Sequence, residues 1–169
     1  VVSENLCSRI DENTDIKEAA FTVLGSIALH GLRLSETSLG SKVVVIGLGV
    51  IGQLVCRLAE AQGSEVIGID PDSERCKYGD NFFTSAEDIE LKDVDTVIIT
   101  AATSSNEPIE LATKIARNKA KIVVIGDIPL NISRNDFYYK ELELVVSKSY
   151  GPGRYDKQYE ALGNDYPIE

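Results

Sequence analysis

The stretch that decides the fold is Val43-Val44-Val45-Ile46-Gly47-Leu48-Gly49-Val50-Ile51-Gly52. Its first four residues are an unbroken apolar run, the pattern of a strand buried on both faces of a parallel sheet. The run feeds directly into a G-x-G-x-x-G turn. Val50–Ala61 then reads as a helix, with Gly63 as its stop. Glu65–Ile69 reads as a second strand, and Asp70 follows it. The glycine pattern alone is a weak signal. Strand, glycine turn, helix, strand and acid in this order are a specific one.

Each glycine has a mechanical role in that setting. Gly47 permits the tight turn out of the strand. Gly49 lets a pyrophosphate approach the backbone, and Gly52 lets the helix pack close to the sheet. The free N–H groups at the helix start, with the helix dipole, favour an anion there. Asp70 stands 18 residues beyond Gly52, the distance for a carboxylate that accepts from both hydroxyls of an adenosine ribose. A 2′-phosphate would meet a like charge at Asp70, so NAD is favoured over NADP. Arg75 is the countervailing residue, because a nearby arginine can pair with a 2′-phosphate. The expected ligand is a nicotinamide dinucleotide held by Gly47, Leu48, Gly49, Val50, Ile51, Gly52, Asp70, Pro71 and Arg75.

Outward from this core, strands and helices alternate. Asp72–Tyr78 reads as a short helix, Phe82–Thr84 and Val94–Thr100 as strands, and Pro108–Asn118 as a helix. Lys121–Ile125 follows as a strand, Arg134–Lys140 as a helix and Leu142–Ser147 as a sixth strand. Alternation of this kind indicates right-handed crossovers and an α/β Rossmann fold: a doubly wound, six-stranded parallel sheet with helices on both faces. The ligand crevice of such a sheet lies beyond the carboxyl ends of its strands. Ala101-Ala102-Thr103 and Gly126-Asp127-Ile128 are therefore further cofactor candidates, small enough to admit ribose and nicotinamide. Upstream, Leu6–Ile10 reads as a short strand and Asp15–Leu34 as one long helix. The expected organisation is a lead-in over 1–35, the cofactor domain over 36–150 and a tail or linker over 151–169.

The remaining features exclude more than they assign. At 43% hydrophobic and 26% charged the chain is globular, and 169 residues suit one domain. A net charge of −10 makes nucleic acid and anionic membrane poor partners. No run reaches the roughly 18 apolar residues of a membrane span, and nothing at the N-terminus reads as a signal peptide. Cys7, Cys56 and Cys76 are too scattered for a disulfide framework, so they read as buried free thiols of a cytoplasmic protein. Metal motifs are missing, and none of the seven tyrosines has a lysine four positions on. His30, the sole histidine, reads as a surface or helix-packing residue. Glu87, Asp88, Glu90, Asp93 and Asp95 read as a solvated surface. The chain starts at Val1 and lacks Met throughout, which fits a fragment or a processed product.

Residues Glu18 to Ser149 resemble the cofactor domain of the medium-chain dehydrogenases, the zinc-type alcohol dehydrogenase superfamily. The resemblance rests on Glu18-Ala19-Ala20-Phe21 with Ala28-Leu29-His30-Gly31, on Gly40–Ile46 with the glycine loop, and on Asp70 with Arg75. Lys121–Gly126 and Glu141–Ser147 complete it. It implies a separate catalytic domain, absent from this chain, of which Val1 to Asp11 look like the last segment. It also implies that the sixth strand is a homodimer edge and that Ser26 lies near the nicotinamide. The family's third zinc ligand falls at Thr22, a poor ligand type, so no metal residue is expected here. The tail from Ser149 to Ile168 is similar to a narrower group of bacterial two-module oxidoreductases. In these a glucose–fructose oxidoreductase-type module follows.

Three functions compete. The first is the NAD-binding part of an alcohol, polyol or sugar dehydrogenase, inactive by itself because it supplies no acid, base or metal. The second is a regulatory domain that senses a dinucleotide without chemistry. The third is a domain used only for dimerisation, which the intact glycine loop argues against.

Overall fold

The computed structural model describes residues 7–156 and Tyr159. The sheet is built from β1 (Lys42–Ile46), β2 (Glu65–Ile69), β3 (Phe82–Phe83), β4 (Val94–Ile99), β5 (Ala116–Val124) and β6 (Glu143–Val146). All pairings are parallel and the order is β3-β2-β1-β4-β5-β6. The order reverses between β1 and β4, and there the crevice of a doubly wound sheet opens.

The run Val43–Ile46 is apolar throughout because both faces of β1 are covered. Successive strand side chains point to opposite faces. Val43 and Val45 join Ala28, Leu32, Leu48, Val55, Cys56 and Ala59 in one core cluster. These come from α2 (Thr22–Ser35), the loop after β1, and α3 (Val50–Ala61). Val44 and Ile46 join a second cluster with Ile109, Ala112 and Ile115 of α5 (Glu107–Ile115), bordered by Phe137 of α6 (Arg134–Lys140). The expected six-stranded α/β sheet with helices on both faces is the observed one.

Three local expectations need correction. Cys7–Ile10 is exposed and carries no strand; Leu6 lies outside the described residues. The helix expected over Asp15–Leu34 is two helices, α1 (Ile16–Ala19) and α2. At the junction the Thr22 hydroxyl donates back to the Ala19 carbonyl at 2.7 Å, and the Phe21 N–H shifts to a tighter bond with the Glu18 carbonyl. The helix expected over Pro108–Asn118 ends at Ile115, and β5 starts at Ala116. Lys140 Nζ donates to the carbonyls of Thr113, Lys114 and Ala116, capping the helix from a distant part of the chain. Left-handed Lys119 (φ 60°) and a register shift opposite Val94–Thr96 then realign β5 with its neighbour.

The α4 helix is reduced to Ser73–Cys76, with Asp72 as its cap. Among the cysteines only Cys56 is buried; Cys76 is half-buried and Cys7 exposed, because α3 alone turns its thiol into the core. Burial pushes the Cys56 thiol up to about 12. His30 is buried, and the chain closes over its ring at Gly151. Left-handed Gly151 (φ 93°) is required there, since a Cβ would lie 2.6 Å from His30 Nδ1. In the tail, Lys148 Nζ lies 5.1 Å from the centre of the Tyr155 ring. Residues 1–6, 157–158 and 160–169, including Tyr166, lie outside the described residues.

Candidate dinucleotide site

The site grows from the carboxyl end of β1. Gly47 turns the chain at φ 99°, a left-handed value, and an added Cβ would lie 2.6 Å from the Ala101 nitrogen. Its N–H donates to the Ile69 carbonyl at 2.8 Å, tying the turn to the end of β2. Leu48 is fully buried and packs beneath Gly68. The backbone then exits to Gly49, which caps α3 with extended geometry and no side-chain bond. A Cβ at Gly49 would meet nothing within 4 Å. Val50 is exposed next to it and Ile51 half-buried. At Gly52 a Cβ would fall 1.9 Å from the Gly47 carbonyl oxygen. Gly47 and Gly52 thus face protein, whereas Gly49 faces open space. The first N–H groups of α3 have no carbonyl partner within the helix. A bare helix start above a side-chain-free position fits a pyrophosphate.

Asp70 anchors the other end. It is 3% exposed. Its Oδ2 accepts the Leu48 N–H at 2.7 Å and Arg75 at 3.2 Å. Its Oδ1 accepts the Asp72 N–H at 2.9 Å. The Cys76 thiol donates to its main-chain carbonyl at 3.3 Å. Pro71 is exposed, and Arg75 lies over the pair formed by Asp70 and Asp72. The glycine loop and the acid, 22 residues apart, are therefore joined directly.

The loops after β4 and β5 meet on the far side. Ala101 N–H donates to the Ile46 carbonyl, and Gly126 N–H to the Ile99 carbonyl. Thr103 N–H donates to the Asp127 carbonyl at 3.0 Å. A Cβ at Gly126 would lie 1.9 Å from the Ala101 oxygen, so its glycine serves loop packing. Ala102, Thr103 and Asp127 are exposed, and Ile128 is half-buried against the α5 side. Ser26 is exposed on the second turn of α2, its hydroxyl bonded to the Thr22 carbonyl at 3.0 Å. Thr22 is also exposed. Among the described residues there is no group of three His, Cys, Asp or Glu arranged to hold a metal.

Two supports were not anticipated from sequence. Thr100 Oγ1 donates to the Gly47 carbonyl at 2.5 Å, bracing the turn from β4. Gln53 Nε2 donates to the Leu48 carbonyl at 3.0 Å. A hydroxyl closing the apolar run Val97–Ile99 was the available signal for the first. The acidic surface expected over residues 87–95 also needs revision. Asp95 is half-buried, accepting from Lys42 N–H at 2.8 Å and from Arg117 Nε at 2.5 Å, because it closes the amino end of the sheet. The side chain of Asp88 lies outside the described residues. Two cavities, of about 380 and 330 Å³, are lined by Lys92, Lys114, Arg117 and Lys140 and by Arg57, Glu60, Tyr78 and Asn81. Neither includes a loop glycine or Asp70.

Comparison with known proteins agrees with this geometry. Residues 16–136 match the family model described as "D-isomer specific 2-hydroxyacid dehydrogenase, NAD binding domain". The chain is 25% identical over 171 residues to 2-dehydro-3-deoxy-L-galactonate 5-dehydrogenase of Pseudoalteromonas atlantica, covering 92% of this chain and 50% of that protein. It is 33% identical over 87 residues to D-xylulose reductase A of Aspergillus oryzae, covering 51% of this chain and 24% of that protein. A crystal structure, bound to NADP, of a protein assigned as a zinc-binding dehydrogenase of Sinorhizobium meliloti 1021 superposes with a TM-score of 0.73. That structure is 24% identical and is matched over 91% of this chain and 51% of its own. The chain thus spans about half the length of these relatives or less. No helix of the described residues is long and apolar enough to cross a membrane.

Proposed function

The chain belongs to the family of D-isomer specific 2-hydroxyacid dehydrogenase NAD-binding domains, a different Rossmann family from the medium-chain one the sequence resembles; from its likeness to sugar dehydrogenases and reductases we propose that it is the NAD(H)-binding part of a medium-chain-type alcohol, polyol or sugar dehydrogenase. The family model sets the domain type. The parent's type is drawn from the relatives and the solved structure, which are sugar-acid, polyol and zinc-binding dehydrogenases. In this reading residues 1–35 lead in from a catalytic domain, 36–150 hold the cofactor, and 151–169 lead out. The exposed Ile16, Phe21 and Val23 suit a face covered by that catalytic domain.

Within the site, α3 and Gly49 receive the pyrophosphate, and Asp70 and Pro71 flank the adenosine ribose. Ala101–Thr103, Gly126–Ile128 and Ser26 face the nicotinamide half. The bound cofactor supplies the hydride chemistry; these residues bind and orient it. Thr22 offers only a neutral hydroxyl where the medium-chain family's third zinc ligand falls, a poor ligand type for zinc. Among the described residues no group of three His, Cys, Asp or Glu stands in for it, so zinc ligation finds no fit there.

One observation carries the reading: the buried Asp70 carboxylate is bonded to the glycine loop at 2.7 Å, beside a Gly49 that opens on free space. Titration of the chain with NADH and NADPH tests it. Selective NADH binding that falls about tenfold or more in Asp70→Ala is expected, the size of a lost hydrogen-bonded charge contact. Selective NADPH binding would overturn the NAD assignment. Binding of neither nucleotide would overturn the cofactor-domain reading for this chain.

A further inference from the structure

The hydrogen bonds at Asp70 leave too little room for a ribose. A carboxylate offers about four acceptor positions. Leu48 N–H and Arg75 occupy Oδ2, and Asp72 N–H occupies Oδ1. A ribose that presents both its hydroxyls needs two positions where about one remains. Two of the three resident donors are backbone groups of folded turns. Arg75 is the one that can leave: its side chain is 52% exposed. It has a second holder, since its Nε lies 3.4 Å from Asp72 Oδ2. The carboxylate of Asp72 is itself fixed, because its Oδ1 accepts the Glu74 N–H at 2.9 Å and caps α4.

We infer that Asp72 is a positioning residue that sets cofactor specificity: it retains Arg75 when the ribose diol replaces it on Asp70, and so withholds that guanidinium from a 2′-phosphate. The inference rests on the NAD-binding reading above. A guanidinium released from Asp70 with no second carboxylate would stand as a free cation beside the 2′ position, where a phosphate would recruit it. Asp72 turns a residue that would admit NADP into one that does not.

The test is a competition titration on the 169-residue chain, with NADH fluorescence as the readout and NADPH as competitor. The variants are Asp72→Asn, Arg75→Ala and the double variant. Asparagine ranks with aspartate as a helix cap, so Asp72→Asn removes the charge and keeps the turn; circular dichroism melts verify this. In Asp72→Asn the NADPH-to-NADH affinity ratio is expected to rise about fivefold, the scale of one exposed charge pair. The rise should vanish in the double variant. A ratio within twofold of the unmodified chain, or a rise that persists without Arg75, overturns the inference while leaving the NAD-binding reading intact. Failure of the unmodified chain to bind either nucleotide overturns both.

Discussion

Gly49 and Gly52 stand three residues apart in one motif, yet the structure gives them opposite duties. At Gly52 an added methyl would penetrate the Gly47 carbonyl, so backbone must move. Gly52→Ala is therefore expected to lower stability by about 1–3 kcal/mol, as over-packing does, and to weaken NADH binding with it. At Gly49 the methyl would meet nothing in the protein, and its φ of −65° suits any residue. Gly49→Ala should cost no more than about 1 kcal/mol as a weaker cap, yet still impair NADH binding by crowding the pyrophosphate. Thermal melts paired with NADH titration separate the two. Equal losses of stability would show that Gly49 serves packing and not the ligand.

At the scale of elements, one ionised group ties three strands together at the amino end of the sheet. Asp95 on β4 joins the N–H of Lys42 on β1 to Arg117 on β5. Partial burial pushes its carboxyl up, but the bonds from Arg117 and Lys42 outweigh this and hold it below the usual carboxylate value. A carboxylate depressed on folding contributes stability above its unfolded pKa, and the contribution is lost as pH falls through its folded pKa. Urea unfolding from pH 6 downward should thus show stability falling below about pH 4. Asp95→Asn should be less stable near neutrality and show a shallower acid decline. An unchanged acid slope would mean that Asp95 is not among the titrating groups. This element also marks where sequence reading stops. Val43–Gly52 and Asp70 carry their meaning in local pattern, so strand, turn, helix and acid are legible residue by residue. The helix end at Ile115 depends on Lys140, 25 residues on, and the role of Asp95 depends on Arg117, 22 residues on. Residue types at that separation carry no periodic signal. The role of Thr100 is non-local in the same way: its partner, Gly47, belongs to another strand's turn.

For the whole molecule, the sheet leaves one informative margin. The β3 end is short, two residues long, and short edges resist pairing with another chain. The β6 end is longer and carries Val146 at 58% exposure, beside a half-buried Leu144 and Val145. Polar backbone groups on the outer side of β6 have no neighbouring strand among the described residues. A second copy related by a two-fold axis would pair β6 with β6 antiparallel and continue the sheet across the interface. We therefore propose a homodimer through this edge, which light scattering should register as twice the chain's 18.4 kDa. Val146→Lys tests it with little risk to the core, because Val146 already faces solvent in the monomer. A lysine there would place two like charges across the axis, and the dimer is expected to dissociate while the monomer's melting temperature and NADH affinity hold. Leu144→Lys is the harsher companion, since Leu144 borders the core cluster and should lose both pairing and stability. A chain that is monomeric at high concentration, or a dimer that survives Val146→Lys, would move the interface elsewhere and leave β6 an edge protected by the exposed Glu143 at its start.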